Sequence, residues 1–289
     1  MIYGLAAALG WGLSDLWAAI SGRRIGSGRT VVISQVAAAV VLGAVVLVAR
    51  PSLDRIPSVA GWLVANGFLG AAAYATLYRA LQLGPIAVIS PVLATYAVIP
   101  VLLSVVVLGE TLDAVAWTGV AVTIAGAILT STDLRELRTE TRTKVPGLPW
   151  AIASTLLFGV ATYVMAWSAK EAGFLPSLWF GRTSMAIVVV LAALVVWLGS
   201  RGRGADPSPM SAGAVWFAAA VGVVELVGTI AYARGAEVGL VSIVTAASAT
   251  YPLIPVLGGV HLLEERLAPS QYGGIALVVI GLATLGVAA

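Results

Sequence analysis

Cysteine is absent from this 289-residue chain, and histidine occurs once, at His261. Disulfides, thiolate metal sites and cysteine nucleophiles are therefore excluded. Charge is scarce as well: Asp, Glu, Lys and Arg make up 10% of the residues, against roughly 25% in a soluble domain. That is too little to cover a water-facing surface. No GxxxxGK[ST] stretch occurs, so nothing marks ATP as a direct energy source, and neither a cofactor nor a metal is expected. The net charge of +3 does not argue for a nucleic-acid partner, because the basic residues fall in the breaks between apolar runs.

What fills the chain instead is apolar. Hydrophobic residues make up 60% and the mean hydropathy is +1.01. The runs are continuous rather than alternating with period two, which excludes a β-barrel and leaves helices as the way to satisfy backbone groups in lipid. Ten spans are predicted, at roughly 2–21, 30–49, 58–82, 85–108, 112–130, 148–169, 174–198, 211–235, 239–263 and 268–288. Each is close to the ~20 residues that cross the hydrocarbon core. The first has no basic region before it and runs into Trp11, Ser14 and Asp15, so it reads as a retained helix rather than a signal peptide.

The chain repeats itself. Arg79–Leu112 returns as Arg234–Leu267 at a constant shift of 155 positions, matching Gly84 to Gly239, Thr95-Tyr96 to Thr250-Tyr251 and Ile99-Pro100-Val101-Leu102 to Ile254-Pro255-Val256-Leu257. Glu110 falls on Glu265 in the same register. A shift of 147 relates the earlier spans, placing Gly12 on Gly159, Ser21 on Ser168 and Gln35 on Arg182. The change of shift locates an insertion near the 199–210 loop, where extra residues are tolerated. Two units follow, 1–131 and 148–289, joined by a polar linker over 132–147. Five spans per unit is an odd number, so the second unit enters the membrane from the opposite side. The expected fold is an all-α polytopic membrane protein with ten transmembrane helices in two inverted five-helix repeats, its site near the midplane between them.

These features resemble the EamA-type branch of the drug/metabolite transporter superfamily. The likeness rests on the two five-span halves, Tyr78-Arg79-Ala80-Leu81 closing span 3, Leu83-Gly84-Pro85 before span 4, the Pro-containing spans 4 and 9, and the LGE-x-L and LEE-x-L segments before spans 5 and 10. It covers essentially the whole chain. The resemblance implies a secondary transporter, often an exporter, of amino acids, drugs or other small metabolites. It also implies a central cavity ringed by spans 1–4 and 6–9, with spans 5 and 10 outside, and both termini in the cytoplasm. The charges oppose that last point. The loops after the odd-numbered spans carry Arg23, Arg24, Arg29, Arg79, Arg135, Arg138, Arg142, Lys144, Arg201, Arg203 and Arg266, whereas the other side carries Arg50, Arg55, Lys170 and Arg234. By the positive-inside rule this puts the termini outside.

Polar groups inside the spans are candidates for function, because a charge at the bilayer centre costs roughly 2.5–3.5 kcal/mol even on insertion scales. Asp15 sits in mid-span 1 beside Trp11 and Ser14. Low dielectric favours the protonated form of a carboxyl group, a property that suits proton exchange. The resemblance adds that small multidrug-resistance relatives couple protons through an acid in span 1; a helix-packing Asp is the alternative. Glu225 occupies mid-span 8, with Thr229 and Tyr232 at helical spacing, and Arg182 in span 7 needs an anion. These two can bind each other or a substrate.

Span 3 presents Asn66, Gly70, Tyr74, Tyr78 and Gln82 every fourth residue, a face suited to an amphipathic ligand or, at Tyr78, to the interfacial belt. Tyr96 and Tyr251 precede Pro100 and Pro255, which bend their helices. Trp11, Tyr163 and Trp167 add aromatic walls or packing. Gly119, Gly126, Gly274 and Gly281 let helices approach, Glu110 and Glu265 sit at helix starts where an acid suits the dipole, and His261 packs near a span end. The reading is a secondary transporter of the inner membrane, an exporter coupled to protons through Asp15 or Glu225, with small-molecule substrate, protons and the lipid bilayer as its partners. An uncoupled facilitator and a membrane-embedded enzyme are the alternatives.

Overall fold

In a computed structural model, residues 1–140, 145–200, 210–263 and 267–288 are described. They are helical almost throughout: α1 Ile2–Ile25, α2 Ser27–Ala49, α3 Ile56–Leu83, α4 Ile86–Ala94, α5 Val98–Val107, α6 Ala114–Thr130, α7 Leu134–Glu140, α8 Leu148–Ala172, α9 Phe174–Ser200, α10 Ala212–Val238, α11 Val241–Ser248, α12 Leu253–Leu263 and α13 Pro269–Ala288. Large apolar side chains face outward on several of them, with Val48 and Val106 exposed at 85% and 79%. Water would penalise such a surface; lipid does not.

The ten predicted spans are not all recovered. Eight described stretches are long and apolar enough to cross a bilayer, or nine if α6 and α7, bent by 66° at their junction, are one span. The first helix is long enough but is not among them. Asp15, two tryptophans and several glycines dilute its hydropathy. Arg142, Lys144, Arg201, Arg203, Glu265 and Arg266 lie outside the described residues, as does the side chain of His261. Within the expected linker, Leu134–Glu140 forms the short exposed helix α7.

Spans 4 and 9, expected to bend at Pro100 and Pro255, each run as one membrane-length stretch, Val88–Val107 and Val241–Gly258, with an interruption of the α-helix inside it. A 3-10 turn at Thr95–Ala97 separates α4 from α5, and a turn over 249–252 separates α11 from α12. Two causes act at equivalent places. Pro100 and Pro255 have no N–H to offer the carbonyls of Tyr96 and Tyr251 one turn earlier. The hydroxyls of Thr95 and Thr250 turn back to the carbonyls of Val92 (2.7 Å) and Ala247 (2.8 Å), a local bond that competes with the helical ladder.

Packing across the two halves is reciprocal. The first long helix of each repeat lies on the third of the other, α1 on α10 and α8 on α3; α2 packs on α10 as α9 packs on α3; and α6 runs along α13. Glycines set the closest approaches. A Cβ added to Gly12 would come within 2.5 Å of Ile254, and one added to its repeat mate Gly159 within 2.6 Å of Ile99, itself the mate of Ile254. In the α6–α13 seam, Gly126 faces Val278 and Gly281 faces Thr123 with no room for a side chain. The hinges repeat as well. Gly26 and Gly173, 147 positions apart, join the first two helices of each half at φ +87° and +86°, a backbone region that other residues rarely enter.

Reciprocity is incomplete: α8 and α9 both pack against α10 more closely than their mates α1 and α2 pack against α3.

Candidate functional site

A cavity of about 270 Å³ lies between the halves, lined by α1 and α3 of the first and by α8, α9 and α10 of the second. This is close to the small end of the ~300–1,000 Å³ range usual for ligand pockets. Helix α1 contributes Trp11, Ser14 and Asp15, and α3 contributes Asn66, Gly70 and Tyr74. The two helix breaks bring in Tyr96 and Tyr251, whose rings meet edge to face with centroids 6.2 Å apart. From the second repeat come Phe158, Thr162 and Met165 on α8, Arg182 and Met185 on α9, and Glu225 and Thr229 on α10.

One polar network runs along the wall. Arg182, its side chain 8% exposed, pairs bidentately with Glu225 through two bonds of 2.8 Å. Its NH1 also donates to Gln35 Oε1 at 2.5 Å and its NH2 to Thr229 Oγ1 at 3.2 Å. Thr229 Oγ1 in turn accepts from Trp11 Nε1 at 3.1 Å and donates to Glu225, 3.0 Å from its carboxylate. A hydroxyl with two acceptances and one donation is saturated. Gln35 and Arg182 are repeat mates, so this bond joins equivalent positions of the two halves. Of the two readings open for Arg182 and Glu225, the structure shows them bound to each other while both line the cavity.

Asp15 behaves differently. Its side chain is exposed, and the space it borders is the cavity. Among the described residues it has no ion-pair partner and receives no hydrogen bond. Two carboxylates and one guanidinium therefore line the cavity, and one of the carboxylates is without a counter-charge.

Eight of the eleven residues singled out from sequence line the cavity: Trp11, Asp15, Asn66, Tyr74, Tyr96, Arg182, Glu225 and Tyr251. Three do not. Tyr232 is fully buried among Ala7, Ala236, Val241 and Val244, bonded to Thr245 at 2.8 Å, with its ring 5.3 Å from that of Trp11. It braces the cavity wall from behind. Tyr163 is buried, and its hydroxyl has no partner among the described residues; one step of 100° from Thr162 turns it away. Tyr78 lies beyond the lining and stacks on Tyr74 with centroids 6.4 Å apart. Farther along the same face, Gln82 is exposed, and Trp167 packs on Trp62.

Phe158 and Thr162 went unselected by sequence reasoning, although a signal existed. At the shift of 147 they are the mates of Trp11 and Asp15. Met165 and Met185 had no such signal, since methionine on a membrane helix reads as packing.

Glu110 is corrected too. It does not serve α6, whose first turn is capped by Asp113 accepting from Ala116 N at 2.7 Å. The buried Glu110 carboxylate reaches into the other half and accepts from Val241 N (2.6 Å), Ser242 N (3.0 Å) and Ser242 Oγ (2.7 Å). It therefore caps α11, where an acid complements the helix dipole.

A duplicated helical fold with lipid-compatible flanks, and a cavity of largely apolar walls and a few charges between its halves, fits a polytopic membrane protein. The EamA-like transporter family matches residues 1–132 and 145–287, and the chain belongs to that family. It is thus a membrane transporter of the drug/metabolite transporter superfamily. No curated protein matches the chain. A solved structure, described as the crystal structure of a protein, resembles it with a TM-score of 0.75 at 20% identity, over 99% of this chain and 96% of the other. At that identity the likeness shows the fold alone.

Proposed function

We propose that the protein is a ten-span secondary transporter of the inner membrane that exports small amphipathic metabolites such as amino acids or drugs. In this reading 1–131 and 148–289 are inverted repeats joined by a linker over 132–147, and they expose the cavity alternately to the two sides. Transport is coupled to protons through Asp15. The observation that carries the proposal is the placement of Asp15: a carboxylate without a counter-ion, bordering the cavity between the halves. Glu225 is the weaker choice for coupling, because its charge is already matched by Arg182.

The test uses proteoliposomes. Asp15→Asn is expected to abolish uptake driven by a proton gradient, while exchange at equal pH persists at saturating substrate. Full gradient-driven uptake by this variant would refute the coupling role. A wild-type rate indifferent to the gradient would identify an uncoupled facilitator.

A further inference from the structure

We infer that the cavity selects singly charged organic cations, ammonium compounds with an aromatic or apolar body, over zwitterions and anions of the same shape. The inference rests on the transporter reading of this cavity and narrows its ligands from amino acids and drugs at large to cationic compounds.

Charge balance carries the argument. The guanidinium of Arg182 is the only cation among the described lining residues, and it is committed on every side. It spans Glu225 through two bonds, reaches Gln35 and Thr229, and keeps 8% of its side-chain surface. A substrate carboxylate would have to displace Glu225 from that bidentate pair and leave its half-buried carboxylate without a counter-charge, an exchange that gains nothing. Asp15 is open by contrast. It borders the cavity with neither an ion pair nor a hydrogen bond to its carboxylate among the described residues, so an incoming ammonium would complete a pair that the protein leaves half made. The remaining walls suit the same ligand. Trp11, Tyr74, Phe158 and Tyr251 supply ring faces that attract cations, and Met165 and Met185 adapt to varied apolar bodies.

Three compounds that share a phenyl-alkyl body separate the possibilities: phenethylammonium, L-phenylalanine and 3-phenylpropionate. Their binding to the purified full chain in nanodiscs would be measured by isothermal titration calorimetry. Phenethylammonium is expected to bind at least about tenfold more tightly than either other compound, the advantage of an unscreened opposite charge in a desolvated site. Asp15→Asn should erase that preference, and Asp15→Glu should retain it. Because the Asp15 carboxylate takes part in no hydrogen bond or ion pair among the described residues, the Asn variant should melt at the wild-type temperature, which separates lost recognition from lost folding.

Equal or tighter binding of phenylalanine or phenylpropionate would overturn the inference. So would unchanged phenethylammonium binding in Asp15→Asn, or a folded wild-type protein that binds none of the three. Exchange of neutral or anionic metabolites by a protein that ignores the amine would sink the charge assignment and leave the transporter reading standing. Tight amine binding without any transport would do the reverse.

Discussion

Replacing Glu110 by alanine tests whether a single carboxylate ties the two repeats together. The side chain accepts three hydrogen bonds, all from the first turn of α11, and its donors Val241 and Ser242 are both 0% exposed. Alanine leaves two backbone N–H groups stranded where water cannot replace the acceptor, at about 1–3 kcal/mol each. The Ser242 hydroxyl can turn to another acceptor and adds little. The expected loss is therefore about 3–5 kcal/mol. At roughly 2 °C per kcal/mol for a chain of 289 residues, Tm should fall by about 6–10 °C. Glu110→Gln keeps one carbonyl oxygen for Val241 or Ser242 and should lose about half as much. Ser242→Ala removes one bond and leaves both backbone donors capped, so it should cost about 1 kcal/mol. Intrinsic-fluorescence melting in detergent ranks the three variants. A Glu110→Ala protein melting within about 2 °C of wild type would refute the reasoning, as would Ser242→Ala proving the more damaging change.

Two further outcomes follow from the cavity. Glu225→Gln strands the Arg182 guanidinium and should destabilise by about 3–5 kcal/mol, whereas the double change Arg182→Gln with Glu225→Gln should recover part of that loss in denaturant titrations. Because the chain has no cysteine, single cysteines can map the cavity against no background. Thr162→Cys should react with a water-soluble maleimide in native membranes, and its neighbour Tyr163→Cys should not, since only the first borders the cavity.

The repeat was legible in the sequence because its two copies keep identical spacing through the region that builds the helix breaks. The intramembrane charges were legible because each is costly to bury and must find a partner or a polar space. What escaped was depth and company. Periodicity places Tyr232 on one face of its helix with Glu225 and Thr229, but two turns along that face the neighbour is no longer the cavity; it is Ala7 and Val244. Glu110 escaped for the same reason. A local rule assigns an acid to the nearest helix start, and its donors lie 131 and 132 residues away. The first helix hid its membrane character for the opposite reason: the residues that make it useful to the cavity lower its hydropathy.

The bond between Gln35 and Arg182 has a consequence for how such a protein can arise. A position lying near a two-fold axis meets its own copy, so in a dimer of identical halves whatever stands there must tolerate its twin. Two arginines at that spot would repel each other, and two glutamines would bring no charge into the wall. Only when the two halves are free to differ, as they are within one chain, can one copy turn cationic while the other stays neutral and accepts its hydrogen bond. The charged wall of this cavity is thus a property of the fused chain, out of reach for an ancestor assembled from two identical half-length subunits.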